Sequence, residues 1–126
     1  MKRTAIVLFA HGARDARWSR PLEHLQQALV RAQPQLRVAL AFLELQEPDL
    51  SAALDALAAD GIEQIDIAPI FWSRGGHIVR DLAGIVRDFG ARHPQAQVRV
   101  LPVLAELPGM NDFIAQAVLA QAGAAR

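Results

Sequence analysis

Two histidines and a glutamate fall where three short apolar runs of this chain end. His11 lies in Ala10-His11-Gly12-Ala13-Arg14-Asp15, Glu44 closes Phe42-Leu43-Glu44, and His77 ends Phe71-Trp72-Ser73-Arg74-Gly75-Gly76-His77. Two neutral imidazoles and one carboxylate suit a borderline divalent ion such as cobalt, nickel, iron or zinc. A set with fewer protein ligands than the ion's coordination number leaves positions open for water or an incoming molecule. Each residue also has an ordinary reading by itself. His11 could bond a backbone carbonyl, His77 could shield a helix start, and Glu44 could pair with an arginine. The coincidence of all three at run ends is the informative feature, and it has force only if the fold brings those ends together.

The same loops carry further candidates. Arg14, Arg17 and Arg20 follow the first run, and Arg74 and Arg80 surround the third. Arginine forks match carboxylates with two parallel hydrogen bonds, so an acidic small molecule is a reasonable guest. The competing reading pairs these arginines with Asp15 and Asp81. Gly12, Gly75 and Gly76 would let the backbone approach a bulky ligand, or would simply serve turns that need positive φ. Trp72 could offer a flat apolar surface to a flat ligand, whereas Trp18 is expected to pack between helix and sheet. His24 and His93 are expected at the solvated surface.

The elements that must position these groups follow from periodicity. Thr4 to Ala10 is a continuous apolar run, as expected of a strand covered on both faces. Similar runs occupy about Leu36–Leu43, Gln64–Phe71 and Gln97–Leu104. Between them Leu22, Leu25 and Leu29 predict a helix with Pro21 in its first turn, and Leu50, Leu54 and Leu57 a second helix stopped by Gly61. Ile78, Leu82, Ile85 and Phe89 predict a third helix closed by Gly90. Met110, Phe113, Ile114, Ala117 and Val118 predict a fourth after Pro108-Gly109, with the alanine-rich end from Ala115 to Arg126 fraying. The order βαβαβαβα predicts an α/β three-layer sandwich around a four-stranded parallel sheet, a single domain over residues 1–126. Ligands of such sheets bind beyond the carboxyl ends of the strands, where the strand order reverses.

Composition removes whole classes of function. The chain has 126 residues, and 52% hydrophobic with 21% charged residues is a globular balance rather than a disordered one. Thirteen basic residues offset thirteen acidic ones, so no overall field favours nucleic acid or an anionic membrane. The absence of cysteine excludes a disulfide framework, a thiolate metal site and a cysteine nucleophile. No apolar run approaches the ~20 residues needed to span a bilayer, and the first ends at Ala10 before a charged loop, so a cytoplasmic location is expected.

The motifs themselves resemble a family. HGAR after the first strand, AFLE at the second and PIFWSRGGHIVRDL at the third are similar to those of the small CbiX-type sirohydrochlorin chelatases, over nearly the whole chain. The resemblance implies a chelatase-like (βα)4 half-unit that inserts a divalent metal into sirohydrochlorin or a related reduced tetrapyrrole. Cobalt is the first expectation, with iron or nickel also suited, and no cofactor is implied beyond that metal substrate. It places metal binding and catalysis on His11, His77 and Glu44. It puts Ser73 and Gly75 near the macrocycle, and the residue chemistry above adds Arg14, Trp72, Arg74 and Gly76 as expected macrocycle contacts. The family also resembles half of a longer two-lobed chelatase, which implies a homodimer. Three departures stand out: Ala13 replaces the serine common in the first motif, Trp72 a leucine in the third, and Ala83 a proline soon after it. The competing expectation is a non-catalytic metal or tetrapyrrole carrier using the same cleft. Histidine-phosphatase chemistry is disfavoured, because Ala10 stands where that motif has arginine.

Overall fold

The apolar run Thr4–Ala10 forms β1, the central strand against which the rest of the chain is registered. The computed structural model describes residues 3–124, with the backbone alone for Gly76, His77 and Ala124. The remaining strands are β2 (Arg37–Phe42), β3 (Gln64–Pro69) and β4 (Gln97–Val100). They alternate with α1 (Arg20–Ala32), α2 (Leu50–Ala59), α3 (Gly76–Arg92) and α4 (Met110–Ala124). All pairings are parallel, in the order β2-β1-β3-β4. The chain steps from β1 to β2 on one side and then to β3 on the other. The strand order therefore reverses between the carboxyl ends of β1 and β3, where such sheets bind ligands.

Alternation along β1 feeds two cores. Val7 and Phe9 point to the face covered by α2 and α3, where Leu54, Leu57, Ile67 and Phe89 are buried with them. Leu8 points to the opposite face, which α1 covers through Leu22. Burying a leucine- or phenylalanine-sized side chain contributes about 1.5–3 kcal/mol, so these two layers carry the stability of the sheet. Helix termini follow local chemistry. Asp49 caps α2 by accepting from the Ala52 N–H, and Gly61 beyond its end takes φ +82°.

Four expectations need correction. The strands are shorter than the apolar runs, most clearly β4, because the residues after Val100 leave the ladder once Leu101 has donated to the Ile67 carbonyl. Helix α3 runs through Gly90 to Arg92, since packing of Phe89 outweighs glycine's weak helix preference. Helix α4 does not fray within the described residues and continues to Ala124, while Ala125 and Arg126 lie outside them. Trp18 is 77% exposed, held in a short 3-10 turn, Ala16–Ser19, that aims it away from the sheet. α4 packs chiefly against the 3-10 turn Leu104–Glu106 and leaves Phe113, Val118 and Leu119 exposed. Among the described residues, no helix is long and apolar enough to cross a membrane.

Candidate functional site

His11 is the first residue beyond β1 and Glu44 the second beyond β2. Their strands keep pairing past the last regular rung: Leu43 donates to the Ala10 carbonyl at 2.9 Å and Glu44 to the His11 carbonyl at 3.1 Å. That extension sets the two side chains next to each other, with His11 Nε2 3.3 Å from Glu44 Oε1. Gly12 makes the approach feasible. It sits at φ +94°, and a Cβ there would lie 2.0 Å from the Glu44 carbonyl oxygen, so no other residue fits without moving the second loop. A further cross-link ties the loops, as the Ala13 N–H donates to Gln46 Oε1 at 2.8 Å. Leu45, beside Glu44, adopts φ +69°, a left-handed conformation unfavourable for a leucine and found here in the loop that presents the carboxylate.

The imidazole is oriented as well as placed. Its Nδ1 lies 3.1 Å from the Gly12 carbonyl, and in the tautomer that donates there Nε2 presents its lone pair to Glu44. In that tautomer the two atoms, 3.3 Å apart, are spaced so that one cation can lie between them. An ion held at the usual ~2.1 Å from each would subtend an angle of roughly 100°, compatible with tetrahedral or octahedral coordination. Both side chains are more than half exposed, so the pair is open to exchange.

The β3 side of the edge is built differently. Phe71 packs edge-on against Phe9, with ring centroids 5.4 Å apart, and fixes the start of the loop beside β1. Beyond it Trp72 is 60% exposed, and Ser73, Arg74 and Gly75 are exposed too. Gly75 caps α3 at φ −86°, so it answers no demand for positive φ. Gly76 and His77 begin α3, and their side chains lie outside the described residues. Among the described residues, no group of three or more His, Asp or Glu side chains converges as a metal site. Among the described side chains, the expected donors that meet are His11 and Glu44.

The arginines divide. Arg14 stays exposed on the His11 loop. Arg17 is taken by Asp15, whose carboxyl its hydrogen bonds hold below the ordinary carboxylate value. Arg74 is gripped by Glu106 through two bonds of 3.0 and 2.9 Å, and those bonds raise its own pKa. Sequence reasoning missed Gln46 and Glu106. Nothing local marks Gln46, whereas Glu106 follows the fourth run and so shares the same sheet edge. His93 also differs from expectation. It is half-buried at the end of α3, stacked on Phe89, with Nε2 3.0 Å from Asp55.

Comparison with known proteins gives this geometry its context. A sirohydrochlorin cobaltochelatase of Methanopyrus kandleri is 30% identical over 62% of this chain and 54% of its own length. Another, from Methanosarcina acetivorans, is 25% identical over 68% and 65%. The chain therefore spans about half to two thirds of the length of these relatives. A solved structure named as a cobalamin (vitamin B12) biosynthesis CbiX protein, from Marinobacter aquaeolei, superposes with a TM-score of 0.83 at 27% identity, covering 98% of each chain. SirB from Bacillus subtilis, solved with Fe3+, shares the fold at a TM-score of 0.69 and 20% identity, over 81% of this chain and 40% of its own. The CbiX family model matches residues 5–121, and the chain belongs to the CbiX family.

Proposed function

We propose that this chain inserts a divalent metal ion into sirohydrochlorin or a related acidic tetrapyrrole, with His11 and Glu44 handling the metal and the displaced protons. The observation that carries this reading is the Nε2–Oε1 pair of 3.3 Å at the carboxyl ends of β1 and β2, beside the strand-order reversal, in a CbiX-family chain. Insertion replaces two pyrrole N–H protons by one M2+, so the site must deliver a metal from weak ligands and accept protons. An imidazole and a carboxylate do both at low cost, since each binds either cation. His77, at the second position of α3, is proposed as the third participant. Arg14, Trp72, Ser73, Gly75 and Gly76 are proposed to contact the macrocycle. Cobalt is the first choice of metal, supported by the names of the relatives; nickel and iron suit the same donors.

A homodimer belongs to the same proposal. Helix α4 has no distinct polar face, leaves Phe113, Val118 and Leu119 exposed, and packs chiefly against the turn Leu104–Glu106 rather than a sheet face. Its 15 residues span about 22 Å, and pairing of two such helices would supply part of the surface a stable dimer buries. Light scattering is expected to give twice the mass of the chain. An active monomer overturns the pairing.

The deciding experiment incubates metal-free protein with sirohydrochlorin and Co2+, Ni2+ or Fe2+ in turn, following macrocycle absorbance. Multiple turnovers with at least one metal are expected. Transfer that stops at one equivalent favours the carrier reading, and no spectral change with any metal overturns metal insertion.

A further inference from the structure

Arg74 offers a planar fork at the carboxyl edge, and a carboxylate of the chain itself already occupies it. Arg74 Nε donates to Glu106 Oε2 at 3.0 Å and Nη2 donates to Oε1 at 2.9 Å, the two-bond geometry by which a guanidinium binds any carboxylate. The partners come from different segments. Arg74 lies in the loop that leads into α3, and Glu106 in the 3-10 turn after β4. A main-chain bond from Leu104 N–H to the Phe71 carbonyl, 3.1 Å long, holds those segments side by side whether or not the ion pair is made. Both charged side chains are well exposed, at 65% and 45%, so water and salt weaken the pair and its exchange costs little.

Directly below lies a cavity of about 420 Å3. Its walls are apolar, with Ile78, Val79 and Leu82 from α3 facing Val100 and Pro102 from the β4 side, and its charged lining residues are Arg74 and Glu106. An apolar pocket with a guanidinium at its rim suits an apolar ring edge carrying a carboxylate arm. It has room for one such arm and edge rather than for a whole macrocycle.

We infer that Glu106 is an internal competitor for Arg74, holding the place that a carboxylate arm of the substrate takes when the macrocycle edge enters the α3–β4 pocket. This rests on the proposed acidic tetrapyrrole and adds a specificity device to it. A guest lacking a carboxylate at that edge cannot displace Glu106, so the internal pair filters for acidic macrocycles.

Equilibrium binding of sirohydrochlorin, read by its fluorescence, tests the idea with four proteins: the native chain, Glu106→Gln, Arg74→Ala and the double variant. Glu106→Gln is expected to bind about three- to fivefold more tightly, the range of one exposed charge pair, with a matching fall in KM. Arg74→Ala is expected to bind more weakly, and Glu106→Gln is expected to add nothing in that background. Unchanged or weaker binding by Glu106→Gln overturns the competitor role. So does a gain that persists without Arg74, because it would reflect general charge alone. Absence of sirohydrochlorin binding in all four proteins overturns the acidic-tetrapyrrole reading as well, so the two failures are distinct.

Discussion

The β1–β2 half of the carboxyl edge is held by main chain, and the β3–β4 half by side chains. On the first, continued strand pairing, the close passage of Gly12 against Glu44 and the Ala13–Gln46 bond fix the backbone that presents His11 and Glu44. On the second, an exposed Arg74–Glu106 fork and one main-chain bond join a loop to a turn. Main-chain geometry preorganises reacting groups, as the handling of metal and protons requires. An exposed ion pair can be traded for a guest at small cost, as substrate capture requires. Under the proposed function the contrast fits metal and proton handling by His11 and Glu44, joined by His77 from α3, and substrate capture by the Arg74 fork.

The largest effect is expected where that contrast is sharpest. Gly12→Ala forces a methyl group into the Glu44 carbonyl at φ +94°. It should cost more than about 2 kcal/mol in urea unfolding and remove activity, and native stability with full turnover would show that the loops are not locked together. Next come the reacting groups. His11→Ala should lower kcat for metal insertion on the order of 100-fold or more with an unchanged far-UV spectrum, and His77→Ala should do likewise. Arg74→Ala should act on KM instead, and the comparison breaks if the two classes of variant change the same kinetic constant.

A side-chain bridge remote from the edge provides a control. Burial pushes the Asp55 carboxyl up, but hydrogen bonds from Arg92 and His93 outweigh it and leave the pKa below the ordinary 3.8. A carboxylate depressed in the folded state stabilises fully above its unfolded value and loses that contribution as pH falls through its folded one. Asp55 is 43% exposed, which limits the gain. Asp55→Asn should therefore lower stability by about 0.5–1 kcal/mol at pH 7, with the difference from the native chain closing below about pH 4. Turnover should stay at the native level, and a loss of it would mean that the α2–α3 strut reaches the edge. Smallest of all is Arg17→Ala, which opens an exposed pair between residues two apart. No shift in Tm or KM is expected, and a raised KM would place Arg17 among the substrate contacts.

How much of this was readable beforehand depends on the range of the forces involved. The four strands and four helices follow from runs and periods only a few residues long, so they were legible to within a few positions. Adjacency of His11 and Glu44 was foreseeable, because parallel neighbours bring their carboxyl ends to one edge. The Arg74–Glu106 fork was not, since several carboxylates share the loops and only packing of the turn Leu104–Glu106 against Phe71 selects one. Trp18 and His93 were misjudged for the same reason. Exposure depends on what lies opposite, and for His93 the partner, Asp55, comes from another helix.

By itself the amino-acid order determined the alternating α/β architecture, the two-faced burial of β1 and the residue types presented at the carboxyl edge, all of them consequences of local pattern. Only the tertiary structure decided which side chains touch and through which atoms: Nε2 of His11 with Glu44 and Arg74 with Glu106 at the edge, Asp55 with His93 away from it. Contacts between side chains depend on ångström-scale placement by strand register and backbone conformation, and that placement emerges only when the separate elements pack.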